Sequence, residues 1–344
     1  MGVQISEIIP RKEIELSDLK GKTIAVDAFN TLYQFLTTIR QQDGTPLLDS
    51  RGRITSHLSG IFYRNINLLT EGIKLVYVFD GKPPELKLKE IEERKRNKEI
   101  AEEKYEKAKE EGDSENMRKY SSQFVKITDE IINESKDLLR AMGIQVVQAE
   151  GEGEAEAAGL AAKGITWASA SQDYDSLLYG TPKLIRNLTL SRKRKTSTGA
   201  LVDTKIELID FEEVMNKLQI NLEQLLCLAI LVGTDYNPGG VRGIGQKRAL
   251  EIVQKYQFPV AIFEYVANSG KYILDFDWQE VFKQFRQFKT ATQSSLHEEK
   301  LDKEKIKKIL VLDHDFSEER INNALDKLQV LEENKKQKTM KDFF

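Results

Sequence analysis

The 344-residue chain has few of the residues that build disulfides or zinc sites, and it has no long apolar run. It contains one cysteine and three histidines, which excludes an intrachain disulfide and a Cys/His zinc site. No stretch of about 18 uncharged apolar residues is present, so we expect no membrane span. The N-terminus also lacks the apolar core of a signal peptide. Cys227 lies within the apolar run Leu225 to Val232, which indicates a core thiol.

The overall composition is that of an ordinary soluble protein. Hydrophobic residues make up 40% of the chain and charged residues 31%, and this length allows one to three domains. The net charge of −3 argues weakly against nucleic-acid binding. Local clusters of basic residues decide that question more than the sum does.

The segment Ala149 to Gly180 is dense in acids placed beside apolar stretches. A helix is predicted over Gly153 to Lys163, because the segment is rich in alanine and Gly164 is suited to end it. Glu154 and Glu156 fall in its first turn, where the positive end of the helix dipole favours anions.

A second acid pair follows a predicted buried strand, Ile165 to Ala170. Asp173 and Asp175 come directly after it, at the end of the strand where an open α/β sheet binds ligands. Either acid pair alone fits a helix cap and a polar loop. The two pairs together, in this topology, favour a metal site.

Two more predicted strands end on an aspartate. One runs from Thr23 to Asp27, and the other ends at Asp80. In a parallel sheet the carboxyl ends of strands lie side by side, so these acids should converge with Asp173 and Asp175. Mg²⁺ or Mn²⁺ would relieve the repulsion between such carboxylates. A helix from about Thr31 to Arg40 should follow the first strand, and by composition its Tyr33 reads as a packed aromatic.

A highly charged helix follows Asp80. Lys87 and Arg94 are seven residues apart and therefore share a face, which Lys98 continues one turn later. A solvated helix with i,i+4 pairs explains most such runs. The alternative is a mobile arch beside the acidic site, with a positive face for phosphate. Residues 112–114 break the run, and a second helix should resume near Glu115.

Two further basic segments are present. Residues 183–195 include Arg192 to Lys195, which we interpret as an exposed hairpin; a localisation signal and a phosphate contact are the alternatives. A buried helix is predicted over Leu222 to Val232, followed by a glycine-rich turn and a helix beginning near Gln246. This order predicts a helix–hairpin–helix that binds duplex DNA through its backbone, with basic side chains at the start of the second helix.

Amphipathic helices continue from Tyr256 to Leu331, and their aromatic residues, including Phe258, are expected in the core. The polar residues 332–336 predict disorder. Behind them, Met340, Phe343 and Phe344 fall on one side of a single helical turn, an apolar group suited to a pocket of another protein.

These residues resemble the XPG/flap endonuclease family, most closely its archaeal members, over nearly the whole chain. The resemblance is carried by residues 26–28, 55–58, 62–64, 78–84, 153–157, 173–175, 233–236 and 242–245. The tail resembles the sliding-clamp (PCNA) binding box Gln-x-x-Met-x-x-Phe-Phe, with Gln337 as its first residue.

The resemblance implies an α/β fold: a mostly parallel central sheet flanked by helices (a PIN-like nuclease core), a helical arch, a helix–hairpin–helix and a disordered tail. The expected regions are an N-terminal nuclease region (1–98), an arch (99–130), an internal nuclease region (131–258) with the hairpin near 233–250, a C-terminal helical region (259–331) and the clamp-binding tail (332–344).

It further implies a site for two Mg²⁺ ions, with Mn²⁺ as a substitute, formed by Asp27, Asp80, Glu154, Glu156, Asp173, Asp175 and Asp235. Lys87 and Arg94 would contact the scissile phosphate, and Tyr33 would stack on the base beside the cut. The mature N-terminus would lie near the site. Glu152 is an additional acid without an assigned role, although it forms an i,i+4 pair with Glu156.

The DNA contacts implied are Arg64, Arg242, Gly243, Gly245, Lys247 and Arg248. The partners would be branched DNA with a 5′ flap and a PCNA-type clamp bound by Gln337, Met340, Phe343 and Phe344. We expect a monomer without membrane contact, in the cytoplasm or nucleoid of an archaeal cell or the nucleus of a eukaryotic one.

The expected activity is a structure-specific 5′ flap endonuclease with 5′–3′ exonuclease activity, acting in Okazaki-fragment maturation and repair. Two alternatives remain. A PIN-type metal-dependent ribonuclease would share the acidic core but would not need the hairpin turn, the basic arch or the clamp tail. A non-catalytic DNA-junction scaffold would not need the full set of acids.

Overall fold

The computed structural model describes residues 2–41, 44–190, 193–195, 201–288, 296 and 299–328. The strands are β1 Lys12–Ile14, β2 Thr23–Asp27, β3 Lys74–Phe79, β4 Gln145–Gln148, β5 Ala168–Ala170, β6 Lys183–Arg186, β7 Lys193–Lys195, β8 Leu201–Asp203 and β9 Ile206–Asp210. The helices of the first half are α1 Ala28–Thr38, α2 Ser56–Thr70, α3 Leu88–Glu110, α4 Ser114–Ser121, α5 Asp129–Ala141 and α6 Gly153–Ala162. Those of the second half are α7 Asp175–Leu178, α8 Phe211–Leu218, α9 Leu222–Val232, α10 Gln246–Tyr256, α11 Pro259–Asn268, α12 Trp278–Arg286 and α13 Lys303–Lys307. Residues 318–328 are also helical.

Seven strands form one central sheet in the order β1-β9-β6-β5-β2-β3-β4. Strands β6, β5, β2, β3 and β4 run parallel to one another, whereas β9 is antiparallel to β6 and β1 is antiparallel to β9. The chain runs outward from β2 to β4 and then returns to the other side of β2 with β5. The strand order therefore reverses between β2 and β5, and open α/β sheets bind ligands at such a point. The predicted mostly parallel α/β fold is confirmed.

Side chains of β2 and β3 alternate between the two faces of the sheet. Ile24, Val26 and Tyr77 join the core formed with α1, α2 and α5, whereas Ala25 and Val78 face α6. A third core, formed mainly by α7 to α12, lies beside β6 and β9 and includes the fully buried Cys227. Both faces of the parallel strands are thus covered, so the ends of these strands remain as the accessible part of the sheet.

Two element boundaries differ from the prediction for reasons of hydrogen bonding. Helix α1 begins at Ala28, three residues earlier than expected, because Asp27 Oδ1 accepts the backbone N–H of Asn30 at 3.0 Å and caps the helix. Strand β5 is shorter than expected. The N–H groups of Ile165 and Thr166 instead donate to the carbonyl of Leu160 at the end of α6.

Helices α3 and α4 form the predicted helical hairpin, which turns at Gly112. Helix α3 is continuous across residue 98, where the sequence places the start of the arch, and only three of its residues are buried: Glu90, Ala101 and Ala108. Lys126 pairs with Glu102 at 2.7 Å near the base of the hairpin. Tyr105 of α3 also packs against Phe124, with ring centroids 5.2 Å apart. Because α3 buries so little apolar surface, the hairpin is expected to open locally at low cost.

The basic run of residues 183–195 is divided between two sheets. Lys183 and Arg186 belong to β6 of the central sheet, whereas β7 pairs antiparallel with β8 as the predicted hairpin. Arg192 lies outside the described residues. No helix within the described ranges is both long and apolar enough to cross a membrane.

The C-terminal aromatics are mostly core, as predicted, but Phe258 is an exception. Phe263 and Phe285 are buried, whereas Phe258 is 71% exposed. The chain reverses at Gln257 with φ 61°, and the N–H of Phe258 donates to the carbonyl of Tyr256 at 2.7 Å. This tight turn directs the Phe258 side chain outward. The tail residues 332–344, with the clamp motif, lie outside the described residues.

Candidate active site

Three strands deliver aspartates to one edge of the sheet. Asp27 is the last residue of β2, and Asp80 directly follows β3. Asp27 lies directly beside Val78 of the neighbouring strand. Asp80 follows Val78 by two residues, so the two carboxylates lie at the ends of adjacent strands. Asp173 and Asp175 follow β5 on the other side of β2, across the point where the strand order reverses.

The N-terminal segment holds the second aspartate pair in place. The backbone N–H of Val3 donates to Asp175 Oδ1 at 2.7 Å, and that of Gly2 to Asp173 Oδ1 at 3.2 Å. Asn30 donates to the other oxygen of Asp173 at 3.0 Å. The N-terminus therefore lies at the acidic site, where the family resemblance placed it. Met1 lies outside the described residues.

Helix α6 brings its first turn to the same edge. The N–H of Gly153 donates to Asp80 Oδ1 at 2.7 Å, and a Cβ at this position would lie 2.6 Å from that oxygen. Only glycine therefore permits so close an approach. Glu154 Oε1 accepts the backbone N–H of Ser176 at 3.0 Å and its hydroxyl at 2.8 Å. These contacts hold one oxygen of each carboxylate in place.

Glu152, which received no role from the sequence, contacts residues of this site. It is the residue before α6, and its Oε1 forms an ion pair with Lys87 Nζ. Burial raises the pKa values of Asp80 and Asp175, and the charge of Glu152 adds a smaller contribution to both shifts. Glu156 lies one turn into α6 and is only 1% exposed. The sequence Glu-Gly-Glu-Ala-Glu contains two overlapping pairs with the same spacing, so spacing alone could not choose between them.

Two cations approach the acids from the base of the arch, which in the structure includes all of α3 and the turn that precedes it. Lys87 Nζ lies 3.2 Å from Asp235 Oδ2, and Arg94 Nη2 lies 3.0 Å from the same oxygen. Burial lowers the pKa of Lys87, but the carboxylates of Glu152 and Asp235 raise it, and the net value lies above its ordinary range. Arg94 also pairs with Glu90 one turn earlier in α3. The shared face predicted for Lys87 and Arg94 is therefore present and points at Asp235.

The acids at the ends of β2 and β3 repel one another in a buried setting. The pKa of Asp27 is raised from 3.8 to about 8, first by burial and then by the charges of Asp80 and Asp173. Burial also raises the pKa of Asp80. The hydrogen bond from Asn30 and the charge of Lys87 oppose the shift of Asp27 without cancelling it.

The acids on the other side of β2 are shifted in the same direction. Burial raises the pKa of Asp175 to about 7, and the charges of Asp235 and Asp173 contribute. The pKa of Glu154 is raised well above its ordinary value by burial and by Asp175, Asp173 and Asp27. Several carboxylates therefore gain by binding positive charge, whether protons, arch side chains or a metal ion.

The donor set suits a hard divalent cation. Its members are carboxylate oxygens, which Mg²⁺ and Mn²⁺ prefer, and no cysteine or histidine of the described ranges contacts them. Among the residues that the structure describes, no group of three or more His, Cys, Asp or Glu side chains is arranged to hold a metal ion. Mg²⁺ keeps several of its waters and binds through one or two carboxylates, so it needs fewer direct protein ligands than such a group would supply.

Tyr33 lies on α1, one turn after Asn30, and is not the packed aromatic that composition suggested. Its side chain on α1 is 40% exposed, and Lys98 Nζ of the arch lies 5.9 Å from the centre of its ring. An exposed ring beneath a cationic arch residue can accept a stacked nucleobase.

Helices α9 and α10, with the turn that joins them, form the predicted helix–hairpin–helix. Gly240, with φ 55°, packs against α9 so closely that a Cβ would lie 2.4 Å from the carbonyl carbon of Val232. This contact fixes the turn that displays the exposed residues Arg242, Gly243, Gly245, Lys247 and Arg248. Lys247 Nζ lies 3.1 Å from Glu7, and Arg248 donates to the Tyr272 hydroxyl at 3.2 Å. Arg64 is half-buried on α2, apart from this turn.

The chain matches known proteins along its whole length. The model of the XPG N-terminal domain matches residues 1–101, and that of the XPG I-region matches residues 143–235. Flap endonuclease 1 of Pyrococcus furiosus is 53% identical, with 100% of this chain and 99% of that protein covered. Flap endonuclease 1 of Hyperthermus butylicus is 50% identical, with 96% and 94% covered.

Solved structures agree with the sequence matches. Flap endonuclease-1 from Methanococcus jannaschii superposes with a TM-score of 0.76 at 40% identity, covering 97% of this chain and 100% of that one. The catalytic core of Rad2 in complex with DNA substrate has a TM-score of 0.71 at 22% identity, covering 92% and 96%, and shares the fold. The chain therefore belongs to the XPG/flap endonuclease family, whose members are metal-dependent, structure-specific nucleases.

Proposed function

We propose that this protein cleaves DNA carrying a 5′ flap at the junction between single and double strand, with 5′–3′ exonuclease activity at the same site. The observation that carries the proposal is that acidic residues and two basic residues meet in one crevice. Acids from the ends of three parallel strands and from α6 lie there, and Lys87 and Arg94 of the arch contact Asp235 among them.

Two Mg²⁺ ions, or Mn²⁺ in their place, would be held by Asp27, Asp80, Glu152, Glu154, Asp173, Asp175 and Asp235. Glu152 replaces Glu156 in this set, because Glu152 contacts Lys87 within the crevice and Glu156 is buried one turn into the helix. When bound, such ions activate a water molecule and stabilise the charge on the leaving oxygen.

The arch cations would change partners when substrate arrives. Lys87 and Arg94 neutralise Asp235 in this structure, and a scissile phosphodiester in the crevice would offer them two anionic oxygens that gain negative charge in the transition state. Their ion pairs with Asp235 would therefore be exchanged for contacts to phosphate. Tyr33 would stack on the base next to the cut, since its ring is exposed.

The rest of the molecule would select the DNA. The exposed turn with Arg242, Gly243, Gly245, Lys247 and Arg248 presents backbone N–H groups and basic side chains suited to the phosphates of one duplex. Arg64 on α2 would contact the sugar–phosphate backbone of the DNA. The arch, whose helix α3 has only three buried residues, would admit a single strand and exclude a duplex.

We further propose that the protein acts as a monomer in Okazaki-fragment maturation and repair, in the compartment that holds the DNA. Gln337, Met340, Phe343 and Phe344 match the spacing of a sliding-clamp motif, and a tail of this kind would tether the nuclease to a PCNA-type clamp.

The test compares a 5′-labelled double-flap DNA, the same duplex without the flap and a matched RNA hairpin, each with Mg²⁺ or EDTA. Asp175→Asn removes one carboxylate of the site. Asp302→Asn is the matched control, because Asp302 caps α13 outside the site and asparagine caps equally well. Mg²⁺-dependent release of the flap that is lost only in Asp175→Asn supports the proposal. Binding without cleavage indicates a junction scaffold, and preferential RNA cleavage indicates a PIN-type ribonuclease.

A further inference from the structure

Two tyrosine hydroxyls meet on one oxygen of Glu152. The hydroxyl of Tyr179 donates to Glu152 Oε2 at 2.7 Å, and the hydroxyl of Tyr236 donates to the same oxygen. The two hydroxyl oxygens lie 2.8 Å apart. Because the other oxygen of Glu152 contacts Lys87, the two ends of this carboxylate have different partners: buried hydroxyls on one side and the crevice on the other.

The two rings are fixed by packing. Tyr179 directly follows α7, and Tyr236 lies in the turn after α9, and both side chains are buried. Phe285 of α12 packs against both, with ring centroids 5.3 Å from Tyr179 and 4.9 Å from Tyr236. Phe288 adds a contact to Tyr179 at 4.9 Å. The hydroxyls are therefore held in position before any ligand binds.

Glu152 needs such support because its backbone lies outside the helix. It precedes the first residue of α6, so its own element restrains the side chain less than it restrains Glu154. An unsupported glutamate would sample several rotamers and lose conformational entropy whenever it bound a cation. Two donors on Oε2 remove that freedom in advance and leave Oε1 directed into the crevice.

We infer that Tyr179 and Tyr236 are positioning residues that orient Glu152 for cation binding, with Phe285 as the packing element that links α12 to the site. This inference rests on the proposed metal-dependent function. Groups that orient a metal-binding carboxylate typically contribute 10- to 100-fold to metal affinity. A purely structural role, in which Glu152 only satisfies two buried hydroxyls, predicts no such contribution.

The test uses Tyr179→Phe, Tyr236→Phe and the double variant, which keep the rings and remove the hydroxyls. Mg²⁺ and Ca²⁺ binding to DNA-free protein is measured by calorimetry, together with the Mg²⁺ concentration that gives half the maximal single-turnover rate. We expect about 10-fold weaker binding for the double variant, a smaller loss for each single one, and a parallel shift of the Mg²⁺ requirement. Thermal unfolding in EDTA checks that each variant folds.

Tyr77→Phe is the matched control. It also removes a buried hydroxyl, which donates to Asn65 at 2.8 Å in the core beneath α2, and it should leave metal affinity unchanged. A double variant that binds metal within twofold of the wild type overturns the inference, and so does an equal loss in the control.

A double-mutant cycle with Glu152→Gln makes the test independent of how well one variant folds. If the tyrosines act through Glu152, then Tyr179→Phe should cost no further affinity once Glu152→Gln is present. Additive losses contradict the inference. Failure of the proposed function is distinguishable, because the wild type would then bind no cation or cleave no flap, whatever the tyrosine variants do.

Discussion

Neutralising one site carboxylate should stabilise the metal-free protein at alkaline pH. Asp175→Asn keeps the acceptor for the N–H of Val3 but removes a charge whose pKa is raised from 3.8 to about 7. An acid with a raised pKa in the folded state destabilises that state when ionised. This destabilisation begins as the pH rises above the pKa of Asp175 in the unfolded state, and it is complete above the pKa of Asp175 in the folded state. At 1.36 kcal/mol per unit the shift corresponds to about 4 kcal/mol.

The assay is urea unfolding in EDTA at about pH 4.5 and at about pH 8, spanning most of the interval over which the carboxylate titrates. We expect the free energy of unfolding of Asp175→Asn to exceed that of the wild type by up to about 4 kcal/mol at the higher pH and by about 1 kcal/mol or less at the lower one. A variant that is less stable than the wild type at both pH values, or whose advantage does not grow with pH, refutes the reasoning.

Asp49→Asn provides a control of opposite sign. The pKa of Asp49 is lowered to about 2, because hydrogen bonds from Arg53 and His314 outweigh burial. Its ionised form therefore stabilises the fold, and this variant should be less stable than the wild type at neutral pH. Saturating Mg²⁺ should abolish or reverse the advantage of Asp175→Asn, since a cation that binds only the folded wild type adds stability that the variant loses.

Three further predictions concern catalysis, DNA binding and the tail. Lys87→Met should lower the single-turnover rate on a flap substrate about 100- to 1,000-fold, because the charge of Lys87 is aimed at the reacting phosphate. Flap binding in Ca²⁺ should change much less, and equal losses in rate and binding would contradict this. Lys247→Ala should weaken binding to duplexes of any sequence and reduce the salt dependence of binding by about one phosphate contact; an unchanged slope of log K against log salt would exclude that contact. Removal of residues 337–344 should abolish capture by an immobilised PCNA-type clamp and leave cleavage without the clamp unchanged; retained capture would place the clamp contact elsewhere.

The sequence predicted the α/β core well because that core depends on local signals. Apolar strands ending in Asp27 and Asp80, and the alanine-rich helix ended by Gly164, are readable from composition and spacing. A parallel sheet then places strand ends side by side, whatever the details of packing. For this reason the expected convergence of aspartates follows from topology and not from any single motif.

The choice among the glutamates lay beyond the sequence. Glu152, Glu154 and Glu156 repeat at a spacing of two, and their directions depend on where α6 begins. The helix begins at Gly153 because the chain there lies against Asp80, a contact between segments some seventy residues apart. Tyr33 is a similar case for composition alone, which suggested a packed aromatic, although the family resemblance implied an exposed stacking ring.

The sequence by itself determined the inventory of this site: its acids, the two arch cations at helical spacing, the glycine-rich turn and the tail. Tertiary structure alone decided the partners: Lys87 and Arg94 on Asp235, the N-terminal N–H groups on Asp173 and Asp175, and two tyrosines on Glu152. The physical reason is that periodicity and capping act within a few residues. Charge pairing and hydrogen bonding in a buried crevice join side chains that only the folded sheet brings together.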